Sequence, residues 1–78
     1  MSLKLPAVTA RELSRIAKHL GFVLDRQKGS QAVFYRNSDR ARIVIPMHAG
    51  RDIKPKTLRG IIDDMGLTPE EFIRLLHG

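Results

Sequence analysis

One helix-start signature occurs twice in this chain, once near each end. Residues 8–13 (Val-Thr-Ala-Arg-Glu-Leu) and residues 67–72 (Leu-Thr-Pro-Glu-Glu-Phe) both place a threonine three residues before a glutamate, between two apolar residues. This is a capping box with a hydrophobic staple, in which the two polar side chains bond the free backbone N–H groups of a first helical turn. The signature predicts a helix over residues 10–20 and a short helix over residues 69–76.

Between these two helices the chain changes to runs that are typical of strands. Strands are predicted over residues 22–26, 31–36 and 41–45, because these runs are rich in β-branched and aromatic residues. Gln-Lys-Gly-Ser at 27–30 and Asn-Ser-Asp at 37–39 are typical turn sequences. Connections this short predict a three-stranded antiparallel meander.

A further helix is predicted from Pro55 to about residue 65, because proline suits a first helical turn and apolar residues then recur on one face. Gly60 lies inside this helix, where we expect it to allow a close approach to the sheet. The predicted order is therefore α-β-β-β-α with a short C-terminal helix, in a single domain over residues 1–78. The fold class is α+β with both helices on one face of the sheet, and it resembles the double-stranded-RNA-binding fold.

The charge of the chain is distributed unevenly. The net charge is +6, but residues 1–60 carry +9 and residues 61–78 carry −3. A basic body favours RNA or an acidic protein as a partner, although the charge can also serve solubility alone. Cysteine is absent and the three histidines are scattered, so we expect no metal site and no small-molecule cofactor. No apolar run suits a membrane span or a signal peptide, so we expect a cytoplasmic protein that does not contact a membrane.

Three groups of residues are candidates for binding RNA phosphates, at the first turn, on the hairpin and at the start of the second helix, where free N–H groups favour anions. They are Arg26, Lys28, Gly29 and Ser30 at the turn, Arg36 and Arg42 on the hairpin, and Lys54, Lys56 and Arg59 at the helix. Each group also has a simpler interpretation, as an ordinary turn or as exposed charge that makes no specific contact.

Several short motifs, in this order along the chain, resemble the HicA toxin family. They are Gly-Phe at 21–22, Arg-Gln-Lys-Gly-Ser at 26–30, Ile-Pro-Met-His at 45–48, Ile-Lys-Pro at 53–55 and Gly-Leu-Thr at 66–68. The resemblance implies an mRNA interferase, a toxin that cleaves RNA phosphodiester bonds without a metal ion. It also implies a protein partner, a HicB-type antitoxin that neutralises the toxin by covering its active site.

The family's catalytic histidine directly follows the Gly-Ser of the first turn, and this chain has Gln31 at that position. Cleavage without a metal needs a base for the 2′-hydroxyl proton and an acid for the leaving oxygen. Histidine serves either role near neutral pH, whereas glutamine cannot exchange a proton there. We therefore predict weak or absent cleavage with RNA and antitoxin binding retained. Gln31 is either a substitution introduced so that a toxic protein can be expressed, or a natural replacement.

His48 follows the third strand and is the alternative catalytic residue, although a hydrogen bond to its loop or to a phosphate is a simpler role. His19 and His77 are expected to take no part in the chemistry. Two other functions remain open at this point. One is a non-catalytic RNA-binding domain, and the other is an interaction protein whose main ligand is the antitoxin.

Overall fold

The structure is a computed structural model that describes residues 4–78 and, within them, three helices and one three-stranded sheet. The bounds are α1 Ala10–His19, β1 Val23–Lys28, β2 Gln31–Arg36, β3 Ala41–Pro46, α2 Pro55–Asp64 and α3 Pro69–His77. The predicted α+β order is confirmed. The bounds of β1 differ most from the prediction, because the first turn needs only Gly29 and Ser30. Of the helices in the described residues, none combines the length and the apolar character that a membrane span requires.

Both predicted capping boxes are formed. At α1, Thr9 Oγ1 accepts a hydrogen bond from the Glu12 N–H at 3.2 Å, and Glu12 Oε1 accepts one from the Thr9 N–H at 2.9 Å. Thr68 and Glu71 form the same pair at α3, at 3.1 and 2.8 Å. The first N–H groups of a helix have no acceptor within the helix, so these side chains determine where α1 and α3 begin.

The sheet is antiparallel in the order β1-β2-β3, and its two faces differ in what covers them. Alternate residues of β2 and β3 are buried on the side of the helices; they are Ala32, Phe34, Ile43 and Ile45. The remaining residues of these strands lie on the opposite side, which we call the open face; they are Gln31, Val33, Tyr35, Arg42, Val44 and Pro46. The alternation of a strand thus separates the core from the open face.

The helices cover β3 and leave β1 exposed. α1 and α2 both pack against β3, and α3 packs against α1 and α2. Every residue of β1 is exposed. The β1–β2 ladder contains a bulge after Leu24, so that Leu24 pairs with Phe34 on the helix side and Val23 pairs with Tyr35 on the open face. One long side of the domain is therefore an uncovered strand.

Arg36 joins the end of α1 to the turn between β2 and β3. Its Nε and Nη2 donate to the two carboxylate oxygens of Asp39 at 2.9 and 2.8 Å, and its Nη1 donates to the Leu20 carbonyl at 3.0 Å. The guanidinium also lies over the Phe22 ring, 4.4 Å from the ring centroid. The hydrogen bonds between the two side chains raise the pKa of Arg36 and lower the pKa of Asp39.

The expectation that Gly60 allows a close approach to the sheet is wrong. Gly60 is exposed, and no heavy atom lies within 4 Å of the position that a Cβ would take there, apart from its own helix backbone and neighbours. The interior of α2 therefore carries a glycine that its packing does not require.

Replacing Gly60 with alanine should stabilise the protein by up to about 1 kcal/mol, because alanine has the higher helix propensity. For a domain of this size, that corresponds to a rise of about 4–8 °C in Tm by circular dichroism. Gly66→Ala is the matched control. Its Cβ would also meet nothing within 4 Å, but its φ of +79° should make alanine destabilising. A loss of stability in Gly60→Ala would contradict the position given to Gly60.

Replacing Asp39 with asparagine should reduce the loss of stability in acid. The pKa of Asp39 is lower in the folded chain than in the unfolded chain, where it is about 3.9. Its stabilising contribution is therefore complete above that unfolded value and is lost as the pH falls through the folded value. Tm measured from about pH 6 to pH 2 should fall less steeply in Asp39→Asn than in the unchanged chain.

Hydrogen bonds from Thr68 lower the pKa of Glu71. Glu71 therefore makes both the unchanged chain and the Asp39→Asn variant less stable in acid. Ser38→Ala, which changes an exposed residue of the same turn and removes no carboxylate, is the control and should keep the slope of the unchanged chain. If Asp39→Asn also kept that slope, the Arg36–Asp39 pair would not contribute in solution.

Candidate nucleic-acid interface

Gln31 lies at the end of the sheet, exposed on the open face. It is paired with Lys28 across the two-residue turn and with Pro46 on β3. Gly29 in the turn has a φ of +60°, which glycine adopts without strain. The Ser30 carbonyl accepts a hydrogen bond from the Met47 N–H, so the chain that leaves β3 is fastened to the turn. The position predicted to be catalytic is thus accessible and lies within the sheet, between its partners on β1 and β3.

Three predicted basic residues share the open face with Gln31. Lys28 is its direct neighbour, Arg26 pairs with Val33, and Arg42 pairs with Tyr35. All three are exposed, and Arg26 lies 3.8 Å from Asp25 in an ion pair that solvent surrounds. An exposed pair of this kind is weak, so Arg26 can exchange Asp25 for a phosphate at little cost.

The open face also carries exposed apolar side chains. Val23 is 67% exposed and Val44 is 39% exposed, and both lie on the same side as Gln31. Tyr35 on this face is half-buried, while Phe34 is buried in the core. The open face thus combines apolar and basic residues without a fully exposed aromatic ring.

His48 directly follows Met47, whose N–H is bonded to the turn. It borders a groove on the helix side of the sheet, together with residues of α1 and β1, and Gln31 does not line that groove. His19 and His77 are exposed at the ends of α1 and α3. Among residues 4–78, no three histidine or carboxylate side chains are grouped as metal ligands would be.

The structure separates Arg36 from the rest of the predicted basic surface. Arg36 pairs with Ala41 on the helix side, whereas Arg42 belongs to the open face. The guanidinium of Arg36 is occupied by Asp39, the Leu20 carbonyl and the Phe22 ring. Arg36 therefore has a structural role, and the contact of Arg36 with RNA stays a prediction. Sequence alone could not show this structural role, because the carbonyl that Arg36 binds is 16 residues away.

The predicted cluster at the start of α2 forms a second basic surface. Lys54 is the N-cap residue and provides no capping hydrogen bond, and the first turn of α2 contains no acidic residue. Lys56 and Arg59 are exposed beside it. The N-terminus of α2 therefore differs from those of α1 and α3, where a threonine hydroxyl accepts a hydrogen bond from a backbone N–H of the first turn.

Three basic residues on α1 were not among the predicted candidates. Arg11, Arg15 and Lys18 border the same groove as His48 and are all exposed. Arg15 also donates a hydrogen bond to the Leu76 carbonyl at the end of α3, at 3.2 Å. Their spacing of four and three residues places them on one face of a helix, which is the signal that could have revealed them.

A comparison with known families shows which family this sequence matches. The family model described as HicA toxin of bacterial toxin-antitoxin matches residues 10–67, from the start of α1 to just beyond α2. The matched range includes the first turn, Gln31 and the start of α2. Among the curated proteins, none matches this chain. The chain belongs to the HicA family of bacterial toxin–antitoxin toxins.

Proposed function

We propose that this chain binds RNA on its open face and that it is a HicA-type mRNA interferase whose cleavage step is impaired by Gln31. The observation that carries the proposal is the position of Gln31, exposed and directly beside Lys28 on a face that Arg26 and Arg42 also make positive. A phosphate held there would lie next to position 31. In the family that this chain resembles, that position carries the histidine that transfers a proton. RNA as the target also implies action in the cytoplasm.

The reaction explains why the residue at position 31 matters. A base removes the 2′-hydroxyl proton, the 2′-oxygen bonds to phosphorus, the bond from phosphorus to the 5′-oxygen breaks, and an acid protonates that oxygen. The Lys28 ammonium can stabilise the charge that develops on the phosphoryl oxygens. Gly29 and Ser30 can contact the same phosphate from the turn. The amide of Gln31 can bond a phosphate or a hydroxyl, but it moves no proton.

The basic cluster at the start of α2 supports a second contact with the RNA backbone. Lys54, Lys56 and Arg59 lie at or near the start of α2, where the N-cap residue makes no side-chain hydrogen bond, and such helix ends favour phosphates. Contacts to phosphates fix the position of an RNA without reading its sequence. We therefore propose that the cluster at α2 contributes to the affinity for RNA and that the first turn is where cleavage takes place.

A HicB-type antitoxin is the proposed protein partner, and it would cover the open face. The exposed side chains of Val23 and Val44 support this assignment, because a protein partner would bury them whereas RNA phosphates would not. The same feature favours the second candidate function, an interaction protein whose main ligand is the antitoxin. The response of RNA binding to salt separates the two functions.

Gln31→His should raise the rate of cleavage of a long mRNA by about 10²–10⁴-fold, which is the usual contribution of a positioned acid or base. The side chain is exposed, so the imidazole fits without disturbing the core. Cleavage is followed on gels in the presence of EDTA, with and without the HicB-type antitoxin, which should suppress it.

Asn37→His is the matched control, because it places the same imidazole on an exposed residue at the other end of β2. It should leave the rate unchanged. If neither variant cleaves, the site assignment fails. If the unchanged chain cleaves and His48→Ala abolishes that cleavage while Gln31→Ala does not, His48 is the catalytic residue.

Binding of a single-stranded RNA should weaken steeply with salt, with a slope of about 0.7 per neutralised phosphate in a plot of log affinity against log salt concentration. Lys28→Ala and Arg42→Ala should each reduce that slope by about one contact and weaken binding to all sequences alike. Fluorescence anisotropy with a labelled oligonucleotide measures both quantities.

Arg74→Ala removes an exposed charge on α3 and should change neither the affinity nor the slope beyond the error of the measurement. Absence of RNA binding at about 50 mM salt would reject RNA as a ligand, because electrostatic binding is strongest at low salt. That result would favour the second candidate function, an interaction protein whose main ligand is the antitoxin.

A further inference from the structure

A second surface lies on the other side of the sheet from Gln31. Because α1 and α2 pack against β3, the strand β1 remains uncovered, and an open groove of about 960 Å³ lies between β1 and α1. Its floor is apolar and consists of Leu24, Ala32, Phe34 and Met47. Leu24 is 47% exposed, so its side chain is accessible from the groove.

The wall of the groove formed by α1 is basic. Arg11, Arg15 and Lys18 follow one another along it and are exposed, and none forms an ion pair within residues 4–78. Glu12 also borders the groove, but its carboxylate is bound to Thr9 in the capping box. The groove thus has an aliphatic floor and a rim on which three cations outnumber the one carboxylate of Glu12.

We propose that this groove binds an acidic, aliphatic peptide segment of a protein partner. Aliphatic side chains of the segment would cover Leu24, and its carboxylates would face Arg11, Arg15 and Lys18. The groove runs along α1, which is about 15 Å long at 1.5 Å per residue, so about five extended residues would span it. β1 is also an edge strand, whose outer backbone groups are open to an added strand except at the bulge.

The chemistry of the floor favours a peptide over RNA. Single-stranded RNA is bound through aromatic rings on which bases stack, together with positive charge. The aromatic residue of this floor, Phe34, is only 3% exposed, so it offers no ring face. An aliphatic floor instead favours aliphatic side chains, and the rim selects those with carboxylates beside them. The inference does not rest on RNA cleavage or on Gln31, because the groove and Gln31 lie on opposite faces.

The test uses a labelled six-residue peptide that alternates leucine with aspartate, compared with one that alternates leucine with lysine and one that alternates serine with aspartate. Only the leucine–aspartate peptide should bind in fluorescence anisotropy. Its binding should shift the amide NMR signals of α1 and β1 rather than those around Arg42 and Val44. Replacing all three of Arg11, Arg15 and Lys18 by alanine should weaken peptide binding by about tenfold. Each exposed ion pair that is lost should weaken binding by about two- to threefold, and three such pairs are removed.

Leu24 and Val23 form a matched pair for the same test, since both are exposed aliphatic residues on β1 that face opposite sides of the sheet. Leu24→Asp should abolish peptide binding, and Val23→Asp should retain it. No binding by the leucine–aspartate peptide, equal binding by the lysine peptide, or equal effects of the two substitutions would each overturn the proposal.

An oligouridylate that shifts the groove amides and displaces the peptide would overturn it too, and would make the groove an RNA surface. Failure of Gln31→His to cleave leaves these outcomes untouched, because neither the peptide nor the groove involves position 31.

Discussion

The burial of Ile43 and Ile45 beneath α1 and α2 is the contact on which the rest of the structure depends. In a strand, successive side chains point to opposite faces, so burying these two residues places Arg42 and Val44 on the open face. The ladder between β3 and β2 carries the same alternation to Gln31. A slip of one residue would move a charged or polar side chain into the core, so the core register fixes which face presents the site.

Local chemistry made much of this fold predictable from sequence. The two capping boxes specify the beginnings of α1 and α3 through bonds within four residues, and the predicted bounds of β2 are those observed. Two features could not be predicted from the sequence, because they depend on contacts between residues that are distant along the chain. The bulge in β1 moves Leu24 to the helix side, opposite Phe34, and no residue type in that run identifies it. The role of Arg36 likewise depends on the Leu20 carbonyl, which only the folded chain brings near.

The packing of the helices over one edge of the sheet also determines how the charge is divided. Arg26, Lys28 and Arg42 lie on the open face, whereas Arg11, Arg15 and Lys18 lie across the sheet along the groove. The net charge of the first 60 residues thus forms separate surfaces instead of one patch. Charge complementarity of each surface can guide a different ligand, because interactions between exposed charges fade beyond about 8 Å at physiological salt.

Position 31 shows how the fold and the chemistry can be separated in this protein. Among residues 4–78, the Gln31 side chain is exposed and belongs to no ion pair and not to the core, and its backbone is paired in the strand ladder whatever the side chain is. Stability therefore does not select the residue there, and glutamine and histidine are equally compatible with the structure. The difference between them is the ability to exchange a proton near neutral pH. A chain with glutamine consequently keeps the surfaces for which we propose binding, while it lacks a proton-exchanging side chain at the position where the proposed cleavage requires one.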